Sequence, residues 1–447
     1  MEESGDVVGH DVHLATPAEA NATVSESAHT ALRIGVAGAG FIGAVHARSA
    51  RLAGATLAGV ATSTPERSRE AAARLGAEEA YDTPEQLATA DGVDVLHICT
   101  PNHLHSELAA LALAHGKHVV CEKPLAVSTA QAAELIEAAR AADRIATVPF
   151  VYRFHPVVRE ARARVRAGTL GPVRLIHGGY LQDWLASADD DNWRIDADLG
   201  GPSRAFADIG SHWCDLVEFI TGDRITALCA QTATVFPERA SHEHAQAFAV
   251  TGSANGERRA VTTEDAVTAL FRTESGAQGT LIVSQVSPGR KNDLHVEIAC
   301  EHASVRFEQE RPETIWLGRR DQGETLWRDP GTLGPEAARY AIAPAGHPQG
   351  YLDCFDLFVA DTYAAIAGAD APDGLPTFAD GVRSARLIDA EEALADPAHL
   401  EQLGHAQTST HASRCADAST ASMSRALRAP SANVGSPSGA SPPAIAA

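Results

Sequence analysis

An imidazole between carboxylates stands out in the run Asp208-Ile-Gly-Ser-His212-Trp-Cys-Asp215. On a helix, positions 208, 212 and 215 share one face, so Asp208 would fix the tautomer of His212 and stabilise its imidazolium as it takes a proton. A capped helix with a satisfied core histidine would look the same. Composition isolates a second group: of 36 lysines and arginines, only Lys117, Lys123 and Lys291 are lysines. Lys123 sits in Cys121-Glu-Lys-Pro124, directly after an apolar run. Its compact ammonium, with three donors, suits polarising a carbonyl or stabilising a developing alkoxide.

A third cluster binds rather than reacts. In Ile34-Gly-Val-Ala-Gly-Ala-Gly-Phe-Ile-Gly43, Gly38 permits a sharp strand-to-helix turn, Gly40 bares backbone to a pyrophosphate and Gly43 lets the helix sit close on the strand. Phe41 and Ile42 open that helix beside the phosphates. An NAD-selective site carries Asp or Glu about 20 residues further on. Here the stretch reads Ala61-Thr-Ser-Thr-Pro-Glu-Arg67. Ser63, Thr64 and Arg67 could receive a 2′-phosphate, which leans the cofactor from NAD towards NADP. The plain alternative is a helix cap at Thr64 with a surface arginine.

Tyr180-Leu-Gln-Asp-Trp184 and Asn192-Trp-Arg194 precede the His212 run. Aromatic faces pack on the C–H face of a sugar ring while polar groups meet its hydroxyls, so Asp183, Trp184, Trp193 and Arg194 are candidate polyol contacts, with Arg153 and His155 approaching the same cleft. Packing at a domain or subunit interface would also use these tryptophans. No His/Cys/Asp/Glu spacing calls for a metal.

The elements that must carry these groups change pattern once. From 32 to 150, apolar strands at 32–37, 56–61, 93–99, 118–121 and 145–148 alternate with Ala-rich helices at 42–53, 65–75, 103–115 and 128–142, the pattern of a doubly wound parallel sheet. After a helix at 157–166, a strand at 173–180 and a helix near 208–221, strands dominate from 225 to 328, with Ser275-Gly276 as a hairpin link. Two helices, 350–367 and 378–395, close the series. The expected fold is α/β: a Rossmann domain at 32–150, then an α+β domain with a large, mostly antiparallel sheet at 151–400. Pro237 to Thr263 reads as a polar surface loop. Residues 1–31 and 401–447, poor in residues to bury, read as disordered tails.

GAGFIG, Thr100-Pro-Asn-His-Leu-His105, CEKP and Asp208-Ile-Gly-Ser-His212, in this order and at these separations, resemble the Gfo/Idh/MocA oxidoreductase family, which includes inositol and other sugar dehydrogenases, over about 32–395. The resemblance implies Lys123, Asp208 and His212 as catalytic residues. It implies Thr100, Pro101, Asn102 and His105 along the nicotinamide, and Glu122 near the ribose. It also implies a homodimer or homotetramer assembled through the open face of the second sheet. The expected reaction is hydride transfer between NAD(P) and a hydroxyl-bearing carbon of a sugar, anhydrosugar or cyclitol. Its rivals are a redox-recycling glycosidase or lyase with retained NAD and a nucleotide-sensing regulator without turnover.

Bulk composition agrees. A net charge of −22 with no basic stripe argues against nucleic acid and anionic membrane, and no apolar run is long enough to span a bilayer. Seven cysteines without CxxC spacing suit reduced thiols in a cytoplasm.

Overall fold

The computed structural model describes residues 31–241 and 258–392, with the backbone of 416–417. The middle of the expected loop after Pro237 and nearly all of the expected tails fall outside the described residues; within the tail expected to be disordered, 416–417 instead forms a two-residue strand.

The first half is a six-stranded parallel sheet in the order β3-β2-β1-β4-β5-β6. Its strands are β1 (Arg33–Ala37), β2 (Thr56–Ala61), β3 (Glu79–Tyr81), β4 (Val95–Ile98), β5 (His118–Cys121) and β6 (Ala146–Thr147). Their near-continuous burial is that of a sheet covered on both faces. The helices are α1 (Phe41–Leu52), α2 (Pro65–Leu75), α3 (Pro84–Thr89), α4 (His105–Ala114) and α5 (Thr129–Ala142). Local chemistry sets their ends: Thr64 caps α2 by accepting from the Arg67 amide, Pro65 opens it, and Gly76, at φ +66°, stops it.

The second half begins with α6 (Pro156–Arg166) and β7 (Val173–Leu181), followed by a π turn (Phe206–Gly210) that runs into α7 (Ser211–Thr221). The remaining strands are β8 (Ile225–Ala233), β9 (Glu238–Ala240), β10 (Arg258–Ala260), β11 (Ala266–Thr273), β12 (Gln278–Ser284), β13 (Asp293–Cys300), β14 (Ser304–Glu308), β15 (Thr314–Gly318) and β16 (Gly323–Trp327). The large sheet runs β16-β15-β14-β13-β7-β12-β11-β8, with the two-residue strand 416–417 beyond β8. Every neighbouring pair is antiparallel except β7 and β12. Helices α6 and α7 cover one face through Val157, Val158, Trp213 and Leu216. The alternation of buried and exposed residues along β11 and β12 leaves Leu270 and Ile282 on the open face.

The loop expected at 237–263 is ordered at both ends, where β9 and β10 pair antiparallel. This ribbon clamps the 185–196 segment: Arg239 donates to the carbonyls of Leu185 and Ser187, and Arg259 to Asp191 and the carbonyl of Asn192. The last two helices, α8 (Tyr351–Ile366) and α9 (Phe378–Glu392), return to the first half and pack on α1 and α5.

Candidate active site

Each glycine of the nucleotide loop has its own physical reason. Gly38 has φ +89°, and a Cβ there would lie 2.4 Å from the Cys99 carbonyl oxygen. A Cβ at Gly43 would come within 2.0 Å of the Gly38 carbonyl oxygen, so helix and turn touch backbone to backbone. At Gly40 a Cβ would meet nothing within 4 Å. That open space lies at the N-terminus of α1, where no side chain caps the amides; the arrangement fits a pyrophosphate held by bare backbone. Phe41 is exposed and Ile42 half-buried beside it. At the end of β2, Arg67 Nη1 donates to Ser63 Oγ at 3.2 Å, while Thr64 is spent on its cap. From α2, Arg74 reaches back to the Ala39 carbonyl at 2.6 Å.

Beyond β5 the chain delivers Lys123, whose Nζ donates to the Asp208 carbonyl at 2.7 Å and to Asp208 Oδ1 at 2.8 Å. Gln285 Nε2 donates to Asp208 Oδ2 at 2.8 Å, and Arg194 Nε lies 3.4 Å from Oδ1. Burial alone would raise the Asp208 carboxyl, but Lys123 and Arg194 outweigh it and hold the group ionised, below the usual carboxylate range. His212 lies one turn further on. Burial first, and the charge of Lys123 second, push its pKa well below 6.5, so the imidazole is neutral. Its Nδ1 is buried without a hydrogen-bond partner. Phe150 and Tyr152 meet its ring edge-on, with centroids 5.9 and 5.1 Å away.

The shared helical face expected for Asp208, His212 and Asp215 is not formed. Over Phe206–Gly210 the turn is π, closed by the Ser211 amide on the Phe206 carbonyl. One extra residue in a turn rotates the rest of the helix by roughly 100°. Asp208 therefore turns its oxygens to Lys123 and Gln285 rather than orienting His212, and Asp215 points elsewhere.

Asp215 accepts both Nε and Nη2 of Arg153, which also binds Asp380 at 2.8 Å. Arg153 is 6% exposed, so it is a sealed ion-pair hub, not a cleft residue. His155 is buried against Tyr152 and Phe307, and burial pushes its pKa down to about 4. Asp183 accepts from Lys291 Nζ at 2.7 Å and from the Gly289 amide. Trp184 donates to Gln182 and packs on Leu185, Ile195 and Val261. Arg194 lies over the Trp193 ring at 4.4 Å, so of these residues this pair adjoins the Asp208 cluster.

The TPNxxH segment also braces the site. Asn102 donates to the Gly200 carbonyl at 2.7 Å, and Pro101 precedes that turn. The His105 ring lies between the carbonyls of Pro124 (2.8 Å from Nδ1) and Thr100 (2.9 Å from Nε2) and donates to one of them, packing this turn against the loop that carries Lys123. Glu122 accepts from the Lys123 amide and lies 3.1 Å from His46 Nε2.

Two residues that no sequence pattern reveals hold the centre in place. Gln285 closes on Asp208 from the end of β12. Buried Glu264 accepts from the amides of Arg204 (2.8 Å) and Phe206 (2.9 Å) and from Ser203 Oγ, capping the segment that leads into Asp208. Neither has a local signal, because each acts about 60 or more positions away along the chain.

A glycine cradle at the carboxyl edge of a doubly wound sheet, facing a Lys–Asp–His cluster, defines a dinucleotide-binding oxidoreductase. Comparison with known proteins makes that specific. Residues 32–150 match the oxidoreductase family with an NAD-binding Rossmann fold, and 158–306 match the GFO/IDH/MocA C-terminal domain. Levoglucosan dehydrogenase of Pseudarthrobacter phenanthrenivorans is 30% identical over 380 residues, 80% of this chain and 95% of that protein. A solved levoglucosan dehydrogenase in complex with NADH and L-sorbose superposes with a TM-score of 0.73 at 28% identity, over 82% of this chain and 97% of that one. D-xylose 1-dehydrogenase (NADP(+)) 2 of Haloferax volcanii is 33% identical over 177 residues, 39% of this chain and 53% of that protein. The chain belongs to the Gfo/Idh/MocA family of oxidoreductases.

Among the described residues no cluster of three or more His, Cys, Asp or Glu could hold a metal ion, and no helix is long and apolar enough to cross a membrane.

Proposed function

We propose that the protein reversibly oxidises one hydroxyl-bearing carbon of a sugar, anhydrosugar or cyclitol with a nicotinamide cofactor. The observation that carries this reading is the Lys123–Asp208 pair, with Nζ 2.7 and 2.8 Å from Asp208 oxygens, set beside a neutral His212. When bound, the nicotinamide supplies the hydride acceptor or donor. The chain's own residues manage the proton and the oxygen. Asp208 occupies two of the three donors of Lys123 and leaves one for the substrate oxygen, where an ammonium stabilises alkoxide character. His212, neutral, takes the hydroxyl proton. The Trp193–Arg194 pair offers an aromatic face and a cation to the rest of the polyol.

Cofactor choice belongs to the end of β2. With no carboxylate at the strand end itself, Glu66 lying in the first turn of α2 paired with Arg69, Ser63 and Arg67 favour a 2′-phosphate, and we read the preference as NADP over NAD. The levoglucosan and D-xylose dehydrogenases named above supply the substrate classes to screen. The test is absorbance at 340 nm with levoglucosan, D-xylose and myo-inositol, each with NAD and NADP. Reduced cofactor accumulating with one of them supports the reading; cofactor bound but never net reduced favours redox recycling. Arg67→Ala is expected to weaken NADP by ~1.5–3 kcal/mol and spare NAD. An unchanged ratio of kcat/KM for the two cofactors would reduce this segment to a helix cap. As to assembly, the exposed Leu270 and Ile282 on the open sheet face suit a homodimer or homotetramer interface.

A further inference from the structure

Behind the nucleotide loop lies a polar chain that the proposed chemistry does not use. His46, on α1, and His97, on β4, are both completely buried, and their Nδ1 atoms are 2.8 Å apart. His46 Nε2 lies 3.1 Å from Glu122 Oε1, and His97 Nε2 lies 2.7 Å from the Tyr363 hydroxyl on α8. Glu122 Oε2 accepts the backbone amide of Lys123 at 3.1 Å. The four side chains thus run in single file from a C-terminal helix to the residue beside Lys123.

Proton counting gives this file one direction. Burial would raise the Glu122 carboxyl, but the His46 contact and the charge of Lys123 outweigh it and keep it ionised. An ionised carboxylate only accepts, so His46 must carry its proton on Nε2. A His46 that carries this one proton has a bare Nδ1, which obliges His97 to donate from Nδ1. His97 Nε2 is left as an acceptor, and only Tyr363 can fill it, by donating its O–H. Reversing any one link sets two donors or two acceptors face to face in a fully buried site, which costs a buried hydrogen bond.

We propose that Tyr363, His97 and His46 form a one-way hydrogen-bond chain that holds Glu122 against the Lys123 amide, making them positioning residues for the lysine. The proposal rests on the reading of Lys123 as the group that meets the substrate oxygen. Each link removes a freedom: the tautomers fix the ring orientations, the rings fix the Glu122 carboxylate, and the carboxylate fixes the peptide from which Lys123 projects.

The test needs neither substrate nor cofactor. In full-length protein labelled with ¹⁵N-histidine, long-range proton–nitrogen spectra should show His46 protonated on Nε2 alone and His97 on Nδ1 alone. Opposite tautomers, or an imidazolium at neutral pH, would overturn the chain. Glu122→Gln replaces the compulsory acceptor by an amide that can donate or accept, so mixed tautomers are expected at both histidines; unmixed ones count against the proposal. His97→Asn keeps an N–H where Nδ1 stood, whereas His97→Val does not. Hydrogen exchange of the Lys123 amide, followed by mass spectrometry on a peptide covering 118–126, should speed up about tenfold in the valine variant and stay slow in the asparagine variant. Equal exchange in both overturns the positioning role. Lys123→Ala separates the two readings: turnover surviving in it removes the catalytic role of the lysine, while the tautomers still judge the chain.

Discussion

Asp208 and Asp215 lie seven positions apart, both half-buried and both paired with a cation, yet they do different work. Asp208 gathers its partners from three distant segments, Lys123 after β5, Arg194 before the π turn and Gln285 after β12, and keeps 16% of its side chain exposed. Asp215 is closed in with Arg153 and Asp380, where the α7 and α9 helices meet the 150–155 segment. The π turn breaks the helical phase, so one carboxylate meets Lys123 and Gln285 and the other Arg153. An ion pair is thus a candidate for chemistry when one partner has a donor left over and a route to solvent. When both are saturated and sealed it holds structure.

The sharpest way to break this contrast is to remove the sealed cation. Arg153→Met should lower unfolding stability by about 3–5 kcal/mol, because it strands the enclosed Asp215 carboxylate and takes a partner from the half-buried Asp380. The protein that remains folded should turn over at nearly the normal kcat. Chemical denaturation together with kcat per folded molecule checks both halves, and lost turnover at unchanged stability would erase the distinction.

At the other carboxylate the effect should fall on rate. Lys123→Ala and His212→Ala are each expected to lower kcat ~100-fold or more, about 2.7 kcal/mol of barrier, with cofactor affinity preserved in fluorescence titration. A finer probe is Gln285→Leu, which removes one donor from Asp208 and should lower kcat about tenfold without moving the melting temperature by more than a few degrees. Wild-type turnover in that variant would show that Lys123 alone suffices to hold Asp208.

The smallest effect, per group, is in pH. His97, His105, His155 and His212 all have pKa values depressed chiefly by burial. Below about pH 6.5 the unfolded chain takes up protons that these folded residues refuse. Stability should therefore rise with pH across that window and be lost as pH falls through it, by at most about 1.4 kcal/mol per pH unit for each histidine; for His155 the window reaches down to about pH 4. Equilibrium denaturation from pH 7 to 5 measures this, and flat stability would mean that the folded imidazoles titrate as they do in the unfolded chain. The acid limb of kcat/KM should likewise lie below 6.5.

Legibility followed the range of the interactions. Gly38, Gly40 and Gly43 do their work within six residues, so their pattern is complete in the sequence. The long β-rich run after 225 was readable from alternation. Strand β3, only Glu-Ala-Tyr, and the six-residue α3 are too short to carry a period, and went unseen. Lys123 was visible through composition, as a lysine where arginine otherwise prevails. The Arg153 hub was misread because nothing local says that Asp215 and Asp380 will enclose it. Gln285, Glu264 and the His46–His97 pair were out of reach for the same reason: each matters only through a residue tens of positions away, and a single polar side chain in an apolar stretch has no period to announce its partner.

The return of the last two helices bears on the order in which the protein can be made. Phe378, Val382 and Ala385 share one core with Val119 and Leu135, and Cys354, Phe355 and Phe358 share another with Ile34 and Val36. The nucleotide-binding half leaves the ribosome first, but the side chains that finish its two cores are translated more than 200 residues later. At ~5–20 residues per second that is a delay of roughly 10–50 s. Through that interval the nascent half is expected to wait with exposed apolar surface as a client for chaperones, and its glycine cradle becomes a durable binding site only once α8 and α9 have been made.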